Sequence, residues 1–285
     1  MKIALLTDGI YPYVMGGMQK HSYYLAKYFA QNKVNVELFH YIPKDKLDLP
    51  VPFSKEELQY IELIPIDYPK PKKFPGHYLY ERFQYSKAIT EELIKRVLPN
   101  FFYIQGFSGW HLLKNRKQLK IEQPIGLNFH GYEMFQRWPD FKTGIQLQLL
   151  KRPVLINIKR ADYIFSLGGK LTDIIKSKGF GEKVIEIPNG ISEDWIVNFK
   201  KLEKRKKIKF CFVSRAERRK GIEELNRVLL SLKQDLKFEF HFIGPIEENK
   251  KVNDPRLVYH GLIYEQDKIK KILQSSDVLV CPSYS

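Results

Sequence analysis

Apolar and polar positions in this chain follow two spacings that take turns. Ile3–Leu6 is a short apolar run that breaks at Thr7-Asp8-Gly9, and the loop ends on Gly16-Gly17. From Met18 the apolar residues Met18, Leu25, Ala26 and Phe29 recur at helical spacing, with Gln19, Lys20 and Lys27 between them. The chain therefore opens strand, glycine-tipped loop, helix. Further short apolar runs predict strands over Val34–Ile42, Tyr60–Ile66, Phe101–Gln105, Pro124–Phe129, Tyr163–Leu167 and Lys183–Ile187. Helical spacing predicts His77–Leu98, with Ile89, Leu93, Ile94 and Val97 on one face and Pro99 as its stop. It also predicts Trp110–Leu119, Gly144–Arg160 and Lys170–Lys178, while proline-broken Pro43–Phe53 and Asp67–Gly76 are loops.

After the turn signal Pro188-Asn189-Gly190 and a lysine-rich linker, the pattern restarts. Lys209–Ser214, Lys237–Ile243, Leu257–His260 and Asp277–Cys281 are strands; Ile222, Leu225, Leu229 and Leu232 mark one helix and Glu265–Gln274 another. Strands alternating with helices predict an α/β protein of doubly wound parallel sheets, in two domains, 1–190 and 191–285. A parallel sheet is covered on both faces, and no helix follows the apolar Asp277–Cys281 run. The second domain is therefore expected to be incomplete.

Composition narrows the class. A chain of 285 residues, 44% of them hydrophobic, can bury a core in each of two domains. No apolar run approaches the roughly eighteen residues of a membrane span, and the first run is too short for a signal peptide. A cytoplasmic protein is expected. Cys211 and Cys281 both sit in apolar runs and read as buried strand thiols, with no disulfide framework or zinc site. The 48 Lys and Arg outnumber 32 Asp and Glu, giving a net charge of +16, concentrated around Lys200–Lys209 and at Lys70, Lys72 and Lys73. Nucleic acid, an anionic membrane surface or a phosphorylated substrate could each partner such a surface. The lack of an Arg-rich recognition helix or an aromatic-interleaved basic motif argues against nucleic acid. The lack of Gly-x-Gly-x-x-Gly after a strand argues against a dinucleotide oxidoreductase. Two glycines at a helix N-terminus, by contrast, outline a phosphate site, because bare backbone N–H groups and the helix dipole both favour negative charge.

Four stretches, in order, then carry a resemblance over nearly the whole chain. They are Gly16-Gly17 running into the first helix, Phe129-His130-Gly131, Ile187-Pro188-Asn189-Gly190-Ile191, and Val213-Ser214-Arg215 with Arg219-Lys220-Gly221. Together with the final DVLVCPS run they resemble the family 4 glycosyltransferases, whose two Rossmann-like domains form the GT-B fold with the active site in the cleft between them. The resemblance implies an enzyme that moves a sugar from a UDP- or GDP-sugar to an acceptor hydroxyl, retaining anomeric configuration. It implies no cofactor and no metal. The backbone at Gly16 and Gly17 would lie against the donor diphosphate, with Arg215 and Lys220 as its cations and His130 beside the donor sugar. These three side chains are the expected catalytic residues. Asp8, Tyr132 and Glu133 would border the acceptor, and Gly244 and Ile263 would frame the nucleobase. The acceptor would be a glycan or a lipid-linked molecule in cell-envelope polysaccharide synthesis, and the basic surface would meet anionic membrane peripherally. The family's Glu-x7-Glu motif would fall beyond Ser285. An alternative expectation is therefore a non-catalytic remnant that binds nucleotide-sugar without turnover.

Overall fold

The computed structural model describes residues 1–74, 76–191, 193–196, 207–214 and 217–284. The lysine-rich stretch 200–206 and Arg215 lie outside them. The chain divides into two compact units, one of Met1–Phe135 with Ile145–Asn189 and one of Gln136–Gly144 with Gly190–Ser285.

The first unit is built on seven parallel strands: β1 (Lys2–Leu6), β2 (Asn35–His40), β3 (Ile61–Pro65), β4 (Phe101–Gln105), β5 (Ile125–Asn128), β6 (Tyr163–Ser166) and β7 (Val184–Glu186). Their order is β3-β2-β1-β4-β5-β6-β7. All pairs run parallel, for example Ile3 beside Val36 and Ile3 beside Phe101. The direction of progression reverses between β1 and β4, and the crevice at the C-terminal ends of those two strands is where a doubly wound sheet holds its ligand. The helices are α1 (Gly17–Gln31), α2 (His77–Leu93), α3 (Trp110–Asn115), α4 (Phe141–Arg160, which crosses into the second unit) and α5 (Lys170–Ser177). Strand residues alternate between two apolar clusters: Ala4, Leu6, Phe39, Phe102, Ile104 and Ile125 in one, Ile3, Leu5, Val36, Leu38 and Tyr103 in the other.

The second unit holds β8 (Ile208–Val213), β9 (Phe238–Ile243), β10 (Leu257–Tyr259) and β11 (Val278–Leu279), all parallel, in the order β10-β9-β8-β11. Its helices are α6 (Ile222–Ser231) and α7 (Gln266–Ser275). The phenylalanines of β8 and β9 pack with Ile222, Leu225 and Leu229 of α6. Every predicted strand is present, and both sheets have the predicted parallel, doubly wound α/β form.

Three expectations are corrected. α2 ends at Leu93, not Leu98; Ile89 and Leu93 are buried, but Ile94 is 48% and Val97 82% exposed. The segment after it is pinned to the start of β1 instead, as the Lys2 ammonium donates to Val97 O (2.5 Å) and the Lys2 backbone N–H to Asn100 Oδ1 (2.7 Å). The buried line of α1 is Ser22, Ala26 and Ala30, small side chains that let the helix lie close to the sheet, while Met18, Leu25 and Phe29 flank it half-buried. Cys211 is buried in β8, but Cys281 lies past the end of β11 and is exposed.

One buried group sets a pH dependence. His40 closes β2 with its ring buried and stacked on Tyr13 (centroids 5.9 Å, planes 10° apart), the Tyr41 backbone only partly offsetting that burial. Burial lowers its pKa to about 4. In the unfolded chain it titrates near the ordinary 6.5, so between those values the unfolded state binds the extra proton. The stabilisation is complete above pH 6.5 and disappears as pH falls towards 4, a change of about 3 kcal/mol for a shift of this size. Urea denaturation at pH 7 and pH 4.5 should show it, and His40→Phe should shrink the difference by about that amount, leaving the share set by the buried His130.

Candidate active site

The loop after β1 and the N-terminus of α1 form one wall of the crevice. Gly16 precedes the helix, no side chain caps it, and the first turn holds no acid. Gln19 folds back over this end: its Nε2 donates to Asp8 Oδ1 (2.7 Å), and its Oε1 occupies the space a Cβ on Gly16 would need (2.1 Å). Nothing lies within 4 Å of a Cβ built on Gly17. Packing therefore leaves open the space over that residue.

Asp8 follows β1, where burial pushes its carboxyl pKa up against the opposing effects of the Arg82 guanidinium and the Gln19 amide. The neighbouring Thr7 carbonyl accepts from Tyr85 Oη (2.9 Å), and the Tyr85 ring stacks on Tyr68 (4.8 Å). Arg82, on the same helix as Tyr85, lies over the Phe107 ring at 5.6 Å. Asp8 thus interacts with Arg82 and Tyr85 of α2 and with Tyr68 from the loop after β3.

His130 lies just beyond β5, and the structure joins it to two residues that sequence reasoning missed. Gln105, the fully buried last residue of β4, is 2.8 Å from His130 Nε2 through its Oε1 and 3.0 Å from His21 Nδ1 through its Nε2. His21 stands one turn into α1, and the two imidazoles meet edge to face at 4.8 Å. Burial, with the second histidine beside it, lowers the His130 pKa to about 4; burial lowers that of His21 also. Both shifts favour the neutral ring. The one signal in the sequence was a glutamine closing an otherwise apolar strand, FFYIQ. Nothing in the linear order ties it to histidines 84 and 25 residues away.

Glu133 turns its carboxylate back beside Gly131, where a Cβ would meet both oxygens at 2.8 Å. The expectation for Tyr132 is corrected: its ring is a core residue, 1% exposed, packed edge-on to Phe129 (6.1 Å), with its hydroxyl buried and its pKa raised by burial. It does not offer that hydroxyl at a surface.

In the second unit, β8 leads into the turn that carries Lys220. Arg218–Lys220 form one 3-10 turn, and Gly221 (φ 73°) then starts α6 in the left-handed region, with Pro282 O 2.0 Å from where its Cβ would be. Only glycine fits there. Arg218 is bidentate to Glu224 (2.8 and 2.8 Å), and Arg219 pairs with Glu217 (2.9 Å). Lys220 makes no ion pair among the described residues. The segment after β11 fastens this turn: Tyr284 N–H and Ser283 Oγ both donate to Arg219 O (3.0 and 3.2 Å), and Tyr284 Oη donates to Glu224 (2.7 Å). Gly244 (φ 139°) follows β9 and donates its N–H to Gly261 O (2.9 Å). The Ile263 side chain belongs to the core: it is 6% exposed and packs with Cys211, Ile243 and α7 residues Ile269, Ile272 and Leu273. Among the described residues no group of three His, Cys, Asp or Glu could hold a metal ion. No described helix is long and apolar enough to cross a membrane.

The chain thus has two parallel doubly wound sheets, an open glycine at the start of the first helix and a cationic turn after β8. The family model for glycosyltransferase family 4 matches residues 15–195, and the chain belongs to that family. An uncharacterised glycosyltransferase of Methanocaldococcus jannaschii is 24% identical over 98% of this chain and 74% of its own length. Among solved structures, the sucrose-phosphate synthase of Thermosynechococcus elongatus matches with a TM-score of 0.71 at 16% identity, over 99% of this chain and 75% of that one. The lipopolysaccharide outer core galactosyltransferase WaaB matches with 0.62 at 17%, over 99% and 74%. Anabaena HepE in complex with UDP-glucose matches with 0.58 at 13%, again over 99% and 74%. These structural likenesses give the fold, GT-B. The family gives the class, a glycosyltransferase, and favours the enzyme over the non-catalytic remnant.

Proposed function

We propose that the protein transfers a sugar from a nucleotide-sugar, UDP- or GDP-linked, to an acceptor hydroxyl with retention of configuration. The observation that carries this is the unfilled space over Gly17 at an uncapped, acid-free helix N-terminus. A diphosphate oxygen can reach backbone N–H groups there, and the helix dipole favours its charge. In this proposal residues 1–190 form the acceptor-side domain and 191–285 the nucleotide-sugar side. Lys220 and Arg215 balance the charge on the departing nucleoside diphosphate. Lys220 suits that role because its neighbours Arg218 and Arg219 are already engaged by carboxylates. Neutral His130 receives a hydroxyl of the donor sugar rather than acting as a cation. Asp8 and Glu133 border the acceptor hydroxyl, and the backbone near Gly244 and Ile263 borders the base. UDP-glucose bound to HepE supports a nucleotide-sugar donor.

Incubation with a panel of UDP- and GDP-sugars and an acceptor-containing membrane extract should release nucleoside diphosphate with at least one donor. Absence of any saturable binding of both UDP and GDP in calorimetry would overturn the proposal. The acceptor proposed is a glycan or lipid-linked molecule of envelope polysaccharide synthesis. The +16 charge further suggests peripheral contact with anionic lipid, at about 1 kcal/mol per Lys or Arg close to the surface. Equal flotation with neutral and anionic vesicles would remove the membrane contact and leave the transferase reading intact.

A further inference from the structure

With the Gln105 amide oriented as it is in the structure, one arrangement of protons is compatible with its two neighbours. An amide Nε2 can only donate and an amide Oε1 can only accept. His21 Nδ1, 3.0 Å from the Gln105 Nε2, must then carry a lone pair, and His130 Nε2, 2.8 Å from Oε1, must carry a proton. We infer that Gln105 is a positioning residue that fixes the tautomers of both histidines, leaving His130 Nδ1 as a bare acceptor and His21 Nε2–H as a donor.

The chain of bonds has a direction. It runs from His130 Nε2–H to Gln105 Oε1 and from Gln105 Nε2–H to His21 Nδ1. Its two outer ends, His130 Nδ1 and His21 Nε2, make no hydrogen bond among the described residues, and neither is a buried unpartnered atom. They differ in kind. The His130 end suits a group that donates, as a sugar hydroxyl does. The His21 end suits a group that only accepts, as a phosphoryl oxygen does, and His21 lies on α1 four residues beyond Gly17. A nucleotide-sugar carries both kinds of group side by side. Gln105 is suited to hold this sense because it is fully buried at the end of a central strand. Reversing its amide would break both bonds unless both imidazole protons moved. The depressed pKa values of the two rings agree with a pair kept neutral, in which tautomer rather than charge sets the hydrogen-bonding pattern.

The ligand assignment rests on the donor-binding role proposed above; the tautomers do not. Long-range proton–nitrogen correlation spectra of the full chain labelled with 15N-histidine, assigned by single His→Phe variants, read each ring directly. The expected result at pH 7.5 is a protonated Nε2 and bare Nδ1 for both His21 and His130. A protonated Nδ1 on His130, or an imidazolium on either ring, would overturn the inference. Gln105→Glu replaces the donating NH2 by an accepting oxygen at the same reach. It is expected to move a proton onto His21 Nδ1, and an unchanged His21 spectrum in the folded variant would also count against it. Gln105→Leu, which keeps the bulk, should raise the KM for whichever nucleotide-sugar turns over by about tenfold, the size expected when polar partners are left unpaired. If His130→Ala turned over normally while the spectra were as expected, the donor-sugar role would fall and the tautomer assignment would stand.

Discussion

Arg215→Ala combined with Lys220→Ala should lower nucleotide-sugar turnover by about a hundred- to a thousand-fold, the effect of removing a charge-stabilising donor from a reacting centre. Breaking a sugar–phosphate bond leaves a nucleoside diphosphate whose charge grows as the bond stretches. A cation at about 4 Å in a partly screened site is worth roughly 4 kcal/mol, and the part of that gained only in the transition state appears in kcat. The expected signature is therefore a loss in kcat with a still larger loss in kcat/KM, the difference being the part of the interaction already made to the ground-state diphosphate. Stability is a separate matter. Lys220 forms no ion pair among the described residues, whereas Arg218, two residues earlier, is held by Glu224, Glu223 and the Tyr284 ring. Lys220→Ala alone should leave the thermal midpoint within about 2 °C, as expected for a surface change within about 0.5 kcal/mol. Arg218→Ala should lower it further, because it leaves Glu224 with one fewer partner. Full activity in the double variant would remove these residues from the chemistry.

The alternation of strands and helices was readable because each parallel strand is a short apolar run bounded by Gly, Pro or charge, and the helices between carry a different period. Ends were less readable wherever tertiary contacts set them. Nothing local requires α2 to stop at Leu93; the ties from Lys2 to Val97 and Asn100 join residues almost a hundred positions apart. α3 likewise stops at Asn115, not Leu119. The Arg116 guanidinium there donates forward to Ile121 O (3.0 Å) and across to Asp162 (2.9 Å), and Lys120 takes φ 53°. Among the site residues, glycines and strand-end histidines announce themselves because the loop after a parallel strand is where a doubly wound sheet places its ligands. Tyr132 and Ile263 show the limit of that reasoning. Position in a loop after a strand says nothing about which way a side chain turns, and both turn inward. Gln105 is the opposite case, an inward polar residue whose importance lies entirely in what two other elements bring to it.

Gly17→Ala should separate folding from ligand binding. A Cβ at this position meets no atom within 4 Å, the residue is the first of α1, and its φ is not in the left-handed region. By packing and propensity alone, alanine belongs there at least as well as glycine: it is the stronger helix former and restricts the unfolded chain, together a gain of up to about 1 kcal/mol. The variant is thus expected to be as stable as the parent or slightly more so. Binding should move the other way. The methyl group would occupy the space through which a phosphoryl oxygen approaches the first N–H groups of the helix, lengthening charge-assisted hydrogen bonds worth about 1.5–3 kcal/mol each. Affinity for UDP or GDP is expected to fall about 10- to 100-fold, with little change for the uncharged nucleoside. Gly16→Ala makes a useful contrast, since its methyl would meet the Gln19 amide and disturb the Asp8 contact before it met any ligand. If Gly17→Ala bound the nucleoside diphosphates as tightly as the parent, the bare backbone over α1 would have no part in holding a phosphate.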